Sequence, residues 1–345
     1  MTYVVTNMDA AKILKPSLLL QVLGSIKAPE TEVINNIFKK KKNVDGDKVS
    51  RQIIQRTIKA VPFVGQKNPG VVLNGKTITA DGITVPPMKC HTRIEASDFK
   101  KIKNLVGKEQ RAAIAEELEY IKNTVAWNRE WYARHFLATG NCDYPFLVDG
   151  NAIADNYVYS LGTMTAAAAP PTVLFSDASA TLTDVIKHLD HMLERGRDVP
   201  TARNYFQDPA QTITYARTNV WNAIYDILDA KQTNNVVTGR RNGDVLEVGP
   251  YAIKKFDAAT VSPVDQSAGT GIPVKQMRMI DISTNAPHTM ANLEIENTKA
   301  VGGQKHVMIL PVEDPYGGYV DIMCEHRPVG MFIPEACVNS LDVIA

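Results

Sequence analysis

The residues that could do chemistry are few and poorly grouped. His188 and His191 stand three apart on a helical stretch, which puts both on one face and could hold a metal ion. No further histidine or cysteine lies close to them, so they read as a pair of satisfied surface histidines. The four cysteines, Cys90, Cys142, Cys324 and Cys337, are scattered, with no CxxC pair to mark a zinc site or a disulfide framework. Asp177, Asp184 and Asp190 fit helix caps and solvated positions better than a paired-carboxylate site. Lys67 and Lys76 near Asn68 could condense to an isopeptide bond, but only generic glutamates could supply the acid for that step. Phosphate-binding loops, nucleophile elbows and HExxH are all missing. No catalytic, metal or cofactor-binding residue is therefore expected, and the chain is not expected to be an enzyme. A metabolic enzyme with an α+β core is the reading this lack of a constellation weakens most.

The element that stands out instead is a helix predicted over 108–138. Good helix formers dominate its first half, and neither glycine nor proline interrupts it. Ile114, Leu118, Ile121, Val125, Tyr132 and Phe136 recur at gaps of three, four or seven and mark one face. Glu116, Glu119, Lys122, Asn123, Arg129 and Glu130 fall on the other, polar face. Gly140 and Asn141 supply the stop signal. Such a rod, about 45 Å long, suits a strut with one apolar stripe.

Around it the chain changes character by segment. Residues 1–50 read as an arm. It has an apolar run at Leu18, Leu19, Leu20, Val22 and Leu23, and a solvated run of lysines from Lys39 to Lys42. The arm has too few regularly spaced apolar groups to close a core and is expected to lie on other protein. Residues 51–97 are rich in Val, Ile and Thr, with hairpin signals at Asn74-Gly75 and Asp81-Gly82. A long ribbon of this kind is marginal alone and is expected to be held by another copy. Beyond the long helix comes an α+β block. It has a helix over 181–195 stopped by Gly196, a strand at 212–215 and a helix over 218–230. A hairpin follows at 244–248 and 251–256, then strands at 274–282 and 305–310. The last 27 residues, YVDIMCEHRPVGMFIPEACVNSLDVIA, read as short strands broken at Pro328 and Pro334.

With 345 residues the chain can build two domains, and its formal net charge of +1 suggests no dedicated nucleic-acid or membrane-surface binder. The N-terminus lacks the pattern of a signal peptide, and no apolar run is long enough to span a bilayer. Scattered cysteines suit synthesis in a reducing cytoplasm.

Three features thus follow in order: a polar arm, a strand-rich ribbon and a strut helix. The stretch FVGQKNPGVVLNGKTITADGITVPPMKCHTRIEASDF, 63–99, carries the most specific likeness. Val61, Pro62, Phe63 and Val64 begin it; Thr84, Val85, Pro86, Pro87, Met88, Lys89 and Ile94 end it. With TITYARTNVWNAIYD at 212–226 and the terminal strand, the chain resembles a tailed-phage major capsid protein of the lambda type, the phage major capsid protein E family. The tetralysine run and MTAAAAPPTVLF depart from that pattern.

The resemblance implies an α+β chain with the Hong Kong 97 phage-type capsid fold. Residues 1–50 would be the N-terminal arm and 51–97 the extended loop. Residues 98–158 would form the peripheral domain with its spine helix, and 159–317 the axial domain. Residues 318–345 would return to the peripheral domain. Contacts of the extended loop with a neighbouring subunit are expected at Phe63, Lys67, Pro69, Lys76, Ile78 and Ile83. The implied function is self-assembly, in hexamers and pentamers, into an icosahedral shell around double-stranded DNA, assembled in the host cytoplasm. Portal, scaffolding and decoration proteins are the implied further partners, and no cofactor is. A protein compartment of the encapsulin kind, enclosing an enzyme cargo, shares the fold and is the alternative. The short arm argues against a large leader removed by proteolysis.

Overall fold

In the computed structural model the described residues are 12–27, 31–46, 48–56, 76–84, 87–146, 157–164, 166–198, 205–230, 239–256, 271–283, 288–295 and 306–345. They begin with α1 (Pro16–Ser25), α2 (Glu32–Ile37), β1 (Lys40–Val44), β2 (Lys48–Arg56), β3 (Lys76–Thr84) and β4 (Met88–Glu95). Helices α3 (Ala96–Asn104) and α4 (Lys108–Thr139) follow, then β5 (Asn141–Phe146), β6 (Tyr157–Thr163) and β7 (Ala166–Ala168). Next come α5 (Leu182–Asp198), β8 (Thr212–Arg217), α6 (Thr218–Ala230), β9 (Gly239–Asn242), β10 (Val245–Val248) and β11 (Tyr251–Phe256). The chain ends through β12 (Met277–Asp281), β13 (Thr289–Leu293), β14 (Val307–Glu313), β15 (Tyr319–Met331) and β16 (Cys337–Ser340).

Contacts divide the chain into two units. The first comprises Met1–Val49, Thr84–Ala133 and Thr289–Met331; the second comprises Ser50–Ile83, Arg134–His288 and Phe332–Ala345. The 13-residue β15 pairs with β4, β13 and β14 within the first unit, whereas Phe332–Ala345, which follows it, falls in the second.

In the first unit β15 is the central strand. Its first half lies antiparallel to both β4 and β14, and its second half antiparallel to β13. β1 then adds to β13 in parallel, at the end of the sheet. The inward residues of β4, β14 and β15 meet α1, α3 and the first half of α4. Leu14, Leu19, Val22, Ile94, Phe99, Ile102, Ile114, Leu118, Ile121, Ile309, Val320 and Ile322 make one buried cluster. The arm, expected to lie on other protein, therefore supplies part of this unit's own core. Pro328 does not break β15. Beyond His326 the strand pairs with β13 among the described residues, so a residue without an N–H can sit where no second neighbour asks for one.

In the second unit seven strands run in the order β7-β16-β12-β8-β11-β10-β9. β8 lies parallel to β11 and antiparallel to β12, and its first five residues are all buried. α5 and α6 cover the sheet through Val185, Leu189, Met192, Val220, Trp221 and Ile224, packed with Leu246, Ile253, Met279 and Val338. The α5 N-terminus is boxed. The Thr181 amide donates to Asp184 Oδ2 at 2.9 Å, and the Asp184 amide donates back to Thr181 Oγ1 at 3.3 Å. Gly196 is not the stop expected for this helix, which continues to Asp198. A Cβ there would lie 2.4 Å from the Phe206 ring, so the glycine is required by packing. Phe206 itself holds a left-handed φ of 57°. Its amide donates to the buried Asp281 carboxylate at 2.5 Å, and its carbonyl accepts from Arg197 Nε at 2.6 Å. Cys337–Ser340 pairs with β12 and β7.

Candidate assembly elements

The long helix is present as predicted, and Lys108–Thr139 spans about 48 Å at 1.5 Å per residue. Its single-stripe reading holds only for the first half, where Ile114, Leu118 and Ile121 are buried. Farther along, Glu130, Trp131, Ala133, Phe136, Leu137 and Ala138 are all buried, so the helix is enclosed on several sides there. Phe136 stacks on Phe332 at 3.9 Å between ring centroids.

Two residues assigned to the polar face hold the arm instead. Glu130 is fully buried, and its Oε1 and Oε2 accept the Val33 and Ile34 amides at 2.9 and 3.0 Å. These are unpaired donors in the first turn of α2, and a carboxylate there also meets the positive end of the helix dipole. Lys122 Nζ donates to the Leu23 carbonyl at 2.8 Å, in the last turn of α1, where the dipole favours a cation. Burial lowers the Lys122 pKa, and nearby Arg129 adds to the effect. No local pattern marked either residue, because each partner is distant in sequence.

The ribbon is a sheet of its own, in which β2 pairs with β3. Asp81-Gly82 lies inside β3 and is not a turn; the extended backbone is open to glycine, at a cost in conformational entropy. Of the expected contact residues, Lys76, Ile78 and Ile83 lie on β3, at its start, near its start and near its end. Phe63, Lys67 and Pro69 lie outside the described residues, as does Asn74-Gly75.

The histidine pair does not form a site. His188 is a core residue packed edge-on against Phe175 at 5.8 Å, and burial lowers its pKa to about 4. Among the described residues no group of three or more His, Cys, Asp or Glu is placed to hold a metal ion. No described helix is long and apolar enough to cross a membrane.

The family model described as phage major capsid protein E matches residues 17–192, which includes most of the arm, the ribbon and the whole long helix. The chain belongs to that family. The capsid-family chain is similar in structure to the putative capsid protein of a prophage from E. coli CFT073, at 14% identity and a TM-score of 0.53. That match covers 96% of this chain and 99% of the other. It is also similar to the capsid of an empty GTA particle, at 10% identity and a TM-score of 0.52, covering 93% and 92%. At such identities the likeness is one of fold, and the fold of this capsid-family chain is the Hong Kong 97 phage type. Nothing among curated proteins matches it.

Proposed function

We propose that this chain is the major capsid protein of a tailed double-stranded DNA bacteriophage or prophage and self-assembles into the icosahedral shell of the head. One observation beside the family carries the reading: β2 and β3 pair with each other and, among the described residues, with no third strand. Such a ribbon leaves both edges open, and two strands alone are marginal in water. A neighbouring copy that covers the ribbon satisfies those edges. The contact is heterologous, so repetition closes it into hexamers and pentamers and then into a shell. Permanent interfaces of this type bury roughly 2,000–5,000 Å².

In this reading the first unit is the peripheral domain, with α4 as its spine, and the second is the axial domain around the ring axes. β2 and β3, with the segment joining them, form the extended loop. Phe63, Lys67, Pro69, Lys76, Ile78 and Ile83 reach the adjacent subunit. Assembly takes place in the host cytoplasm, with portal, scaffolding and decoration proteins as further partners and DNA as the content. A chain of net charge +1 coats DNA without clamping it against ejection.

Electron microscopy of the purified protein tests the reading. The intact chain forms closed shells. Deleting 65–84 leaves a folded, soluble body, with both core sheets seen by hydrogen exchange, that forms none. Normal shells from the deletion would refute the ribbon's role. An intact chain that stays monomeric at high concentration would refute the shell.

A further inference from the structure

Cys90 on β4 and Cys324 on β15 are direct partners in the antiparallel register. Both are free thiols, Cys90 half-buried and Cys324 buried. The register also tells how far apart their backbones stand. The Ala96 amide donates to the Gly318 carbonyl at 3.0 Å, one step beyond the Glu95–Tyr319 pair. That makes 96 and 318 a hydrogen-bonded pair. Hydrogen-bonded pairs recur at every second residue, and the register has no shift between 88 and 95. Cys90 and Cys324 therefore occupy a hydrogen-bonded pair, where Cα atoms are about 5.5 Å apart. Disulfides prefer Cα separations of about 5.5–6 Å. Directly opposed residues also project from the same face of a sheet, with Cβ atoms about 4.5–5.5 Å apart. The two thiols already meet in a hydrogen bond, so closure to a disulfide's Cβ separation of about 3.5–4.5 Å asks for a movement of about 1–2 Å.

We propose that Cys90 and Cys324 are a latent cross-strand disulfide, open in a reducing compartment and closed by a low-molecular-weight disulfide such as oxidised glutathione. The inference rests on the sheet alone and stands whether or not the chain builds a shell.

The surroundings suit the chemistry. Cys324 is buried but not sealed: it lines a cavity of about 270 Å³ with Leu20, Leu23, Val125, Val307 and Arg129. The hydrogen bond to Cys90 and burial hold the Cys324 thiol well above its ordinary range, and the nearby Arg129 guanidinium offsets part of that rise. Arg129 Nε has no hydrogen-bond partner among the described residues. Cys90 is the more acidic thiol of the pair, because Cys324 donates a hydrogen bond to it. The Cys90 thiolate attacks one sulfur of oxidised glutathione and expels one glutathione thiolate. Cys324, as thiolate, then attacks the Cys90 sulfur of the mixed disulfide and expels the second. Two cysteines are oxidised and one glutathione disulfide is reduced. The two thiol protons end on the two glutathiones. The product ties β4 to the central strand of its sheet. β4 follows directly on the ribbon, so the bridge anchors the ribbon's exit.

The test treats the intact protein with oxidised glutathione, then unfolds it, alkylates the remaining thiols and maps the cysteines by mass spectrometry. The expected product has lost two hydrogen atoms, joins Cys90 to Cys324, and leaves Cys142 and Cys337 alkylated. Cys337→Ser keeps that product, whereas Cys90→Ser loses it and leaves Cys324 alkylated. Free Cys90 and Cys324 after prolonged treatment, separate glutathione adducts on each, or bridges to Cys142, Cys337 or a second chain would each overturn the proposal. The mapping of the unmutated chain decides the matter even if a variant fails to fold.

Discussion

The Glu130 carboxylate accepts the Val33 amide at 2.9 Å across 97 positions of sequence, inside a pocket that excludes water. With the second bond to the Ile34 amide, one side chain of the spine helix satisfies two amides of a short arm helix. Helices as short as α2, six residues, do not persist alone, so its order derives from this contact and from the burial of Val33, Ile34 and Ile37.

Replacing Glu130 by Ala removes both acceptors and leaves two buried donors unmet. The expected cost is about 2–4 kcal/mol. It should show as a lower urea midpoint and as new tryptic cleavage in the arm near Lys27 and Lys39. An arm as protease-resistant as in the parent would show that Glu130 does not hold it.

Much of the fold is legible from local pattern, and the exceptions share a cause. Ile114, Leu118 and Ile121 announce their helix because burial there repeats with the helical period. The strand–helix pair β8–α6 and the hairpin β10–β11 are likewise set by short-range signals. Glu130 and Lys122 look like ordinary solvent-facing charges, because what pairs with each lies about a hundred residues away in sequence. Asp81-Gly82 and Pro328 look like breaks, but strand pairing overrides the local preference at both. The two-stranded ribbon, β2 with β3, is legible in composition. The arm's place in its own unit's core is not, because its apolar residues find partners on α3, α4 and β14 that only the fold brings near.

Acid should unfold the chain before most carboxylates titrate. His188, His288 and His326 are buried, and desolvation lowers their pKa values from 6.5 to about 4, about 3 and about 3. His191 adds to the shift at His188 and Arg129 to that at His326. In the unfolded chain each ring takes up a proton near its ordinary value of 6.5, so below that pH the unfolded state binds more protons than the native one. The stability these neutral rings allow is full above pH 6.5 and falls steadily as the pH drops toward the folded values. Urea midpoints measured between about pH 8 and pH 5 should decline in the lower half of that range. His326→Gln should flatten the decline, and a level profile in the parent would contradict the account.

Gly196→Ala tests packing against propensity. Alanine in place of an interior helix glycine is normally worth about 1 kcal/mol of added stability. Here the added methyl meets the Phe206 ring at 2.4 Å, and Phe206 is fixed at both its amide and its carbonyl. Overpacking of this sort costs about 1–3 kcal/mol, so the substitution should lower the urea midpoint. A raised midpoint would mean that the ring yields freely. Pairing the change with Phe206→Leu should recover part of the loss, since the smaller side chain leaves room for the methyl.

The lysine run lies on an edge. Lys41 and Lys42 are exposed on β1, in register with Met290 and Ala291 of β13, and β1 ends its sheet. An edge strand invites pairing by any chain with a free edge, and lysines oppose this by keeping their charge in water. Replacing Lys41 and Lys42 by Val should change the folding free energy by less than about 0.5 kcal/mol. The same change should move unassembled protein into large aggregates, seen by light scattering at low salt. Lys41→Gln with Lys42→Gln separates this from a role in holding the packaged nucleic acid. Glutamine removes the charge but adds little β propensity. If the lysines serve the edge, glutamine shells keep the parental DNA content while the unassembled protein aggregates mildly. If they hold nucleic acid, the DNA content of purified particles falls while light scattering of the unassembled protein stays at the parental level. That second pattern would reject the edge-guarding role.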